Sequence, residues 1–248
     1  MISIDLAGKN CLVTGGTRGI GAAISRRLAE AGASTAAVYR ANDSAAAESL
    51  AEREAFGGRH RNYRADIASS VEIDAFVKTV AVDFDGLHAL VLSAGVPMHR
   101  PLPDITDDDW RRVIDTNLTS AMLLVRALRP MLGRGSSIVS IASGAGHDGL
   151  PGLAAYGASK AGLILFTQSI AQDVGPDGIR ANVVSPGFVD TEFSGRRADE
   201  ERKQRAASNT ALRRHGVPDD IAGAVLFFVS DLSSFVTGQA LRVNGGVV

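Results

Sequence analysis

The chain has 248 residues, of which 45% are hydrophobic, and its formal net charge is −1 from 26 basic and 27 acidic residues. This length suits one large α/β domain with an extensive core, and it also leaves room for two small domains. Because basic and acidic residues nearly balance, there is no electrostatic reason to expect nucleic acid or an anionic membrane as a partner.

Targeting, redox and metal-binding signals are sparse in this sequence. The one cysteine, Cys11, excludes an internal disulfide and a multi-cysteine metal cluster, and its apolar neighbours indicate a buried thiol on a strand. The five histidines occur singly, without HExxH or similar ligand spacing, so we expect no metal. Asp5 interrupts the region where a signal peptide needs an apolar core, and the longest apolar run, residues 221–229, is too short to span a bilayer. We therefore expect a soluble, cytoplasmic protein without membrane contact.

Short apolar runs alternate with longer helical stretches along the chain. The predicted strands are residues 10–14, 34–39, 88–93, 136–141, 180–185 and 240–244, and a more polar strand near residues 62–65 fits a sheet edge. Strand followed by helix, repeated, indicates a parallel sheet with helices on both faces. With the edge strand included, we expect a seven-stranded sheet in a three-layer, doubly wound α/β fold. No low-complexity linker interrupts the pattern, so residues 1–248 are predicted to form a single domain.

The first strand is followed by "TGGTRGIG", residues 14–21, and then by a helical pattern. Glycines at a strand-to-helix turn let the backbone approach a pyrophosphate, whose charge is met by the N–H groups and positive dipole of the helix start. The spacing is G-x-x-x-G-x-G, and because no Lys-Ser or Lys-Thr follows, the loop is not that of a P-loop nucleoside triphosphatase. Tight packing alone is the alternative explanation. The candidate coenzyme contacts in this loop are Gly15, Thr17, Arg18, Gly19, Ile20 and Gly21.

The end of the second strand bears on which coenzyme is bound. Folds that bind NAD place an acidic residue there for the ribose 2′-hydroxyl, whereas an arginine accommodates a 2′-phosphate. In this chain Tyr39 stands where the acid is expected and Arg40 follows, while Asp43 comes later, at the start of a helix or turn. Arg18 can add a second positive charge. We therefore favour NADP(H), with NAD(H) as the alternative, since arginine pairs well with phosphate oxygens; a plain surface role for Arg40 is also compatible with the sequence.

Residues 106–128 have helical periodicity with one polar residue in phase. The predicted inward stripe consists of Trp110, Val113, Ile114, Leu118, Ala121 and Val125, and Asn117 lies on the same stripe. A polar side chain on a buried stripe needs hydrogen-bond partners. Asn117 is therefore either a structural bridge to a carbonyl or part of a functional site.

A tyrosine and a lysine lie four positions apart in "YGASKAG", residues 156–162. On a helix, Tyr156 and Lys160 project side by side from one face, and the small residues around them leave that turn open to a ligand or another backbone. An exposed helix with an incidental pair is the alternative. Ser143 follows an apolar strand, at the end where open α/β sheets bind ligands, although a serine there also caps turns.

Taken together, these motifs resemble the short-chain dehydrogenase/reductase family over nearly the whole chain, and the resemblance implies a Rossmann fold. The matching positions are the Thr14–Gly21 loop, Asn117, Ser143, Tyr156 and Lys160. The segment "VVSPGFVDT" is similar to the family's turn that contacts the nicotinamide end of the coenzyme, which implicates Pro186, Gly187, Val189 and Thr191. The segment "ADI" is similar to the family's segment on the adenine side of the coenzyme, which implicates Asp66 and Ile67. The family's Asn-Asn-Ala-Gly turn is replaced by Leu92, Ser93, Ala94 and Gly95, of which the last three remain candidate coenzyme contacts.

The resemblance also implies a mechanism. Tyr156 is the acid/base for hydride transfer between a ketone and a secondary alcohol, and Ser143 hydrogen-bonds the reacting oxygen. Since a free tyrosine has a pKa near 10, a nearby cation has to stabilise the phenolate, and Lys160 supplies that charge while holding the nicotinamide ribose. Asn117 keeps a water in line with Lys160.

The resemblance leaves the substrate open. The carboxyl-terminal third is similar to bacterial 3-oxoacyl-carrier-protein reductases, so a 3-oxoacyl thioester is the first candidate, and a polyketide, a sugar or another secondary alcohol is the alternative. A non-catalytic NADP(H)-binding sensor is the alternative of a different class. His147 and Asp148 lie near the serine in the sequence, where contact with a polar substrate is one interpretation, but we expect each to be a loop residue facing water. The charged stretch 195–208 fits a solvated helix within a substrate lid around 190–212, and family likeness implies a homotetramer.

Overall fold

In the computed structural model, which describes residues 4–193 and 199–247, seven parallel strands form one sheet in the order β3-β2-β1-β4-β5-β6-β7. The strands are β1 (Asn10–Thr14), β2 (Ser34–Tyr39), β3 (His60–Arg64), β4 (Leu87–Leu92), β5 (Leu132–Ile141), β6 (Arg180–Pro186) and β7 (Ala240–Val243). The predicted polar strand is confirmed as the edge strand β3. The chain order reverses between β1 and β4, which is the switch point where such sheets bind ligands.

Helices cover both faces of this sheet. They are α1 (Gly19–Glu30), α2 (Asp43–Glu54), α3 (Ser70–Asp83), α4 (Asp107–Ile114), α5 (Ser120–Leu128), α6 (Ala154–Val174), α7 (Glu200–Ser208) and α8 (Pro218–Val229). The predicted doubly wound Rossmann fold is thus confirmed. No helix within residues 4–193 and 199–247 combines the length and apolar character needed to cross a bilayer.

A large hydrophobic core lies on each face of the sheet, where the strands pack against the helices. Neighbouring strand residues alternate between them: Leu12 packs with α3, α5 and α6, whereas Cys11 and Val13 pack with α1 and α8. Successive side chains of a strand point to opposite faces, so a strand buried on both sides is apolar throughout. This explains why the strands read as continuous apolar runs, and it confirms that the Cys11 thiol is buried.

The predicted helix 106–128 is interrupted by a π-helical turn, Asp115–Thr119, between α4 and α5. Val113, Ala121 and Val125 are buried as expected, and Leu118 packs on the core, but Ile114 is half-buried and Trp110 is 45% exposed. The placement of Trp110 on the inward stripe was therefore wrong. Trp110 lies in the first half of α4, whereas the buried residue of that helix, Val113, lies near the helix's carboxyl end. The π turn that follows also changes the helical phase, so residues before and after it do not share one continuous stripe.

Candidate active site

The glycine loop lies at the carboxyl end of β1, where its backbone conformation requires glycine. Gly15 and Gly19 have positive φ angles of 64° and 53°. A Cβ atom on Gly21 would clash with the carbonyl oxygen of Gly15, and a Cβ on Gly15 would lie 3.0 Å from the Cα of Ala94. The loop is thus a cradle that side chains would fill, and it fits the close approach of a coenzyme pyrophosphate.

The start of α1 supplies the charge that such a group needs. Arg18 occupies the N-cap position with an extended backbone, and since its side chain carries donors only, it cannot accept a bond from the first N–H groups of the helix. Those N–H groups and the positive end of the helix dipole face the glycine loop. Thr17 is buried within the loop, whereas Arg18 and Gly19 are exposed.

The turn after β4 is joined to β1 by hydrogen bonds from its own backbone N–H groups. The Thr14 hydroxyl oxygen accepts hydrogen bonds from the N–H groups of Ser93 and Ala94, at 3.1 Å each. Leu92, which replaces a family asparagine, is buried in the core shared by α3, α5 and α6. The brace between β1 and β4 therefore does not depend on the side chains that depart from the family pattern.

The end of β2 lies beside the glycine loop, because the N–H of Gly16 donates to the carbonyl of Val38 at 3.2 Å. Arg40 is exposed there, and its guanidinium lies 3.9 Å from a carboxylate oxygen of Asp66. Asp66 also accepts a hydrogen bond from the N–H of Ala68 at 3.0 Å, and Ile67 is buried. The structure thus brings the predicted adenine-side residues together on the β2–β3 side of the loop.

Tyr156 and Lys160 share one face of α6, as their spacing predicted. The Nζ of Lys160 lies 5.9 Å from the centroid of the Tyr156 ring, and it donates to the carbonyl of Ile141 at 2.9 Å. Lys160 is 3% exposed, and burial lowers the pKa of its ammonium from 10.5 to about 8. The ammonium form therefore still predominates at neutral pH.

Ser143 both caps a turn and contacts Tyr156, so its capping role and its place beside the tyrosine are compatible. It precedes the short 3₁₀ turn Gly144–Gly146, and its Oγ accepts a hydrogen bond from the N–H of Ala145 at 3.2 Å. The same hydroxyl hydrogen-bonds the Tyr156 side chain, which lowers the pKa of the phenol, but burial has the larger effect and raises that pKa above its usual value of 10. The expectation that Tyr156 has a lowered pKa is thus not met by the protein alone.

The small residues around this pair are explained in part by protein packing. A Cβ on Gly157 would lie 2.9 Å from the carbonyl oxygen of Ala145, and one on Gly162 would lie 2.7 Å from the Leu118 side chain. One on Gly146 would lie 2.8 Å from the backbone of Lys160. The contacts of Gly157 and Gly146 show that the turn after Ser143 lies directly against the backbone of α6, where a larger residue would not fit.

Asn117 lies in the π-helical turn and is buried. Its Oδ1 accepts from the N–H of Val96 at 2.7 Å, and its Nδ2 donates to the Val96 carbonyl at 3.1 Å and to the Ser159 hydroxyl at 3.0 Å. The structural bridge is thereby established. Asn117 also approaches the lysine, because a Cβ on Gly95 would lie 3.1 Å from Asn117 Oδ1 and 3.4 Å from Lys160 Nζ. Since π turns often mark functional sites, both readings of Asn117 remain compatible with its position.

The segment after β6 returns over the glycine loop. Gly187 donates to the carbonyl of Val243 at 3.1 Å, and Val189 forms an isolated bridge with Gly216. Thr191 lies 3.6 Å from where a Cβ on Gly19 would stand. Pro186 ends β6 and begins this segment. Part of the predicted lid, residues 194–198, lies outside the described residues, and most of the charged stretch beyond it forms α7.

Two features were missed or misjudged from the sequence. The Phe193 ring centroid lies 6.3 Å from that of Tyr156, although no motif distinguished this residue. His147 is half-buried instead of fully facing water: its Nε2 is 2.9 Å from the Oγ of buried Ser185, and burial lowers its pKa. Asp148 is exposed, but it forms a two-oxygen ion pair with Arg242 at 3.0 and 3.2 Å. These contacts join residues distant in sequence, so local patterns did not indicate them.

A glycine cradle suited to a pyrophosphate, with a serine after β5 and a tyrosine and a lysine on α6, is the arrangement of a dinucleotide-dependent oxidoreductase. Within residues 4–193 and 199–247, no three His, Cys, Asp or Glu side chains are grouped to hold a metal ion. The serine, tyrosine and lysine side chains gathered at the site can transfer a proton and donate hydrogen bonds.

Comparison with known proteins agrees with this class. The sequence profile of the family described as "Enoyl-(Acyl carrier protein) reductase" matches residues 15–248. The chain is 35% identical over 248 residues to "3-oxoacyl-[acyl-carrier-protein] reductase FabG" of Chlamydia trachomatis, covering 98% of each chain. It is 38% identical to a crystal structure of a short chain dehydrogenase from Burkholderia cenocepacia in complex with NADP, with a TM-score of 0.92 and coverage of 97% and 98%.

A blue fluorescent protein from a metagenomic library, solved in complex with NADPH, is 37% identical with a TM-score of 0.92 and 98% coverage of both chains. The chain belongs to the short-chain dehydrogenase/reductase family. It is an oxidoreductase that acts on CH–OH groups.

Proposed function

We propose that the protein is an NADP(H)-dependent oxidoreductase that interconverts a ketone and a secondary alcohol, with Tyr156 as the acid/base. The observation that carries this proposal is the contact of Ser143 with the Tyr156 side chain, whose ring centroid lies 5.9 Å from the buried Lys160 ammonium. When bound, the nicotinamide supplies or accepts the hydride. The residues of this chain orient the substrate oxygen and move its proton.

In reduction, Tyr156 gives its proton to the substrate oxygen. The raised pKa of the phenol keeps that proton in place at neutral pH until a charged oxygen develops beside it. Ser143 donates to the same oxygen and stabilises its developing charge. Lys160 then offsets the negative charge left on the phenolate, because its ammonium is held on the Tyr156 side by the Ile141 carbonyl.

Asn117 is proposed to take part in returning the proton. Both amide protons of its side chain are used by Val96 and Ser159, while Oδ1 keeps one lone pair beyond the bond from the Val96 N–H. That lone pair can hold the water that we place in line with Lys160. The coenzyme itself would be held by the glycine loop, by Arg40 and Asp66 on the adenine side and by the segment Pro186 to Thr191.

For the substrate we propose a 3-oxoacyl thioester. The support is the 35% identity to a 3-oxoacyl-[acyl-carrier-protein] reductase over nearly the whole chain, together with the apolar surroundings of the Tyr156 ring. Phe193 adds a half-exposed aromatic ring beside that tyrosine, which favours an apolar group next to the carbonyl over a sugar. A polyketide ketone is the second candidate, because a solved reductase that is 31% identical, LugOII, catalyses keto-reduction at C1 during lugdunomycin biosynthesis.

One screen tests these proposals. Loss of NADPH absorbance is followed with an acetoacetyl thioester, a fused-ring aromatic ketone and a ketose, for the protein and for its Tyr156→Phe variant. We expect turnover with the thioester that the variant lacks. Turnover with the ketose alone would refute the substrate assignment, and NADPH binding without turnover of any ketone would favour the non-catalytic sensor.

We also propose a cytoplasmic homotetramer in which residues 1–248 form one domain and 190–212 act as a substrate lid. Exposed apolar side chains on α6 and on the edge strand β7, namely Leu165 and Leu241, support association, and Lys203 of α7 lies 3.2 Å from Asp190 across the lid. Light scattering should give four times the 25.8 kDa chain mass. Limited proteolysis with and without NADPH tests whether the lid becomes protected.

A further inference from the structure

Arg64 lies where β3 ends, one strand beyond the arginine expected to meet the coenzyme. It pairs in register with Tyr39 of β2, so its side chain projects beside the carboxyl end of that strand. Its Nε donates to the backbone carbonyl of Arg40 at 3.2 Å, and its guanidinium lies 3.6 Å from a carboxylate oxygen of Asp43. Arg64 thus touches both Arg40 and the acid that follows it.

Both carboxylate oxygens of Asp43 are engaged by neighbours. Oδ1 accepts a hydrogen bond from the Tyr39 hydroxyl at 3.0 Å, and Oδ2 faces Arg64. Asp43 is the first residue of α2 and the first acidic residue after β2. An acidic side chain near the end of this strand is the group that ordinarily favours a free ribose 2′-hydroxyl and repels a 2′-phosphate.

We propose that Arg64 is a determinant of coenzyme selectivity: it neutralises Asp43 and fixes the backbone of Arg40, so that this end of β2 accepts a 2′-phosphate. The inference rests on the proposed preference for NADP(H). A 2′-phosphate carries close to two negative charges at neutral pH. Because a single guanidinium touches both Arg40 and Asp43, the two lie within about one Debye length, roughly 8–10 Å, of each other.

The charges at this edge indicate that Arg40 does not act alone on the 2′-phosphate. Arg40 is 67% exposed and is also paired loosely with Asp66 at 3.9 Å. Without Arg64, this edge would carry Arg40 against two carboxylates, Asp43 and Asp66. With Arg64, two arginines face the two carboxylates, so the edge is neutral before the phosphate arrives, and Arg18 in the glycine loop adds a further positive charge. Since the Arg64–Asp43 pair is exposed, its effect is moderate, about 3- to 5-fold in affinity.

The test measures binding of two probes to the full-length protein by calorimetry. Adenosine 2′,5′-bisphosphate carries the 2′-phosphate, and AMP lacks it. In the Arg64→Gln variant the dissociation constant for the bisphosphate should rise about 3- to 5-fold, while that for AMP stays within about twofold. Arg61→Gln is the matched control: it removes the same charge from the same strand about 10 Å further from the carboxyl edge, and it should leave both constants unchanged.

A second substitution tests the role of Asp43. The Arg64→Gln substitution leaves the Asp43 carboxylate without its arginine partner. Adding Asp43→Asn removes that negative charge and should restore most of the bisphosphate affinity. If Arg64→Gln behaves like Arg61→Gln, or if Asp43→Asn restores nothing, the inference is overturned. If the unchanged protein binds AMP as tightly as the bisphosphate, the proposed NADP(H) preference itself fails. Unchanged AMP affinity in every variant shows that the fold and the adenosine site are intact.

Discussion

Replacing Lys160 with methionine should stabilise the coenzyme-free protein while removing its activity. Burial lowers the pKa of this ammonium from 10.5 to about 8. At 1.36 kcal/mol per pKa unit, keeping the charge buried costs about 3 kcal/mol at neutral pH. Methionine avoids that cost, but it leaves the Ile141 carbonyl without its 2.9 Å partner, which costs about 1–2 kcal/mol. The free energy of unfolding at pH 7 should therefore rise by about 1–2 kcal/mol, or roughly 2–6 °C in Tm.

The pH dependence of this difference is the sharper measurement. Between pH 8 and 10.5 the unfolded chain retains a proton on Lys160 that the folded protein has released, so the unfolded state binds more protons and the original protein gains stability relative to the variant as pH rises. The advantage of Lys160→Met should shrink and then reverse. Below pH 8 both states are protonated, and the full cost of burial remains.

Urea unfolding of coenzyme-free protein at pH 7 and pH 9.5 measures both quantities. Lys78→Met, on the exposed face of α3, is the matched control and should show no such pH-dependent gap. A stability difference between Lys160→Met and the original protein that stays constant between these two pH values would refute the reasoning, because it would mean that Lys160 is not a buried group with a lowered pKa.

Three further substitutions and one pH profile test the proposed site. Tyr156→Phe should lower kcat by about 10²- to 10⁴-fold with NADPH affinity near normal, as steady-state kinetics and fluorescence titration would show. Arg40→Ala should raise KM for NADPH about 5-fold or more and leave KM for NADH nearly unchanged; equal effects on both would contradict the phosphate assignment. Gly21→Ala should abolish NADPH binding, since the added Cβ clashes with the Gly15 carbonyl. The reduction rate should fall above about pH 8 as Lys160 loses its proton, whereas a flat profile to pH 9.5 would count against this role.

Much of the candidate site was predictable because its motifs depend on short spacings. A glycine-rich turn between a strand and a helix determines its own backbone, and positions i and i+4 of a helix share a face without help from the rest of the chain. The structure accordingly places Lys160 beside Tyr156 and the glycine loop at the end of β1. The roles of these residues remain predictions that the experiments above address.

Features that depend on long-range contacts were not predictable in this way. The exposure of Trp110 follows from how α4 meets its neighbours, and the raised pKa of Tyr156 follows from burial by elements far apart in sequence. The hydrogen bond from the Ser93 N–H to the Thr14 hydroxyl joins residues 79 positions apart, and no local pattern indicates it. The pairing of His147 with Ser185 has the same origin.

By itself, the sequence determined the parallel α/β architecture and the residue types at each strand end, because both follow from local periodicity and from turns that only glycine can make. The tertiary structure decided which of these residues meet and in what electrostatic setting. Arg64 illustrates the difference: in the sequence it is one basic residue on a polar strand, and only the pairing of β3 with β2 brings it between Arg40 and Asp43. Sheet order and burial, which no single segment contains, set the charges that a bound coenzyme meets.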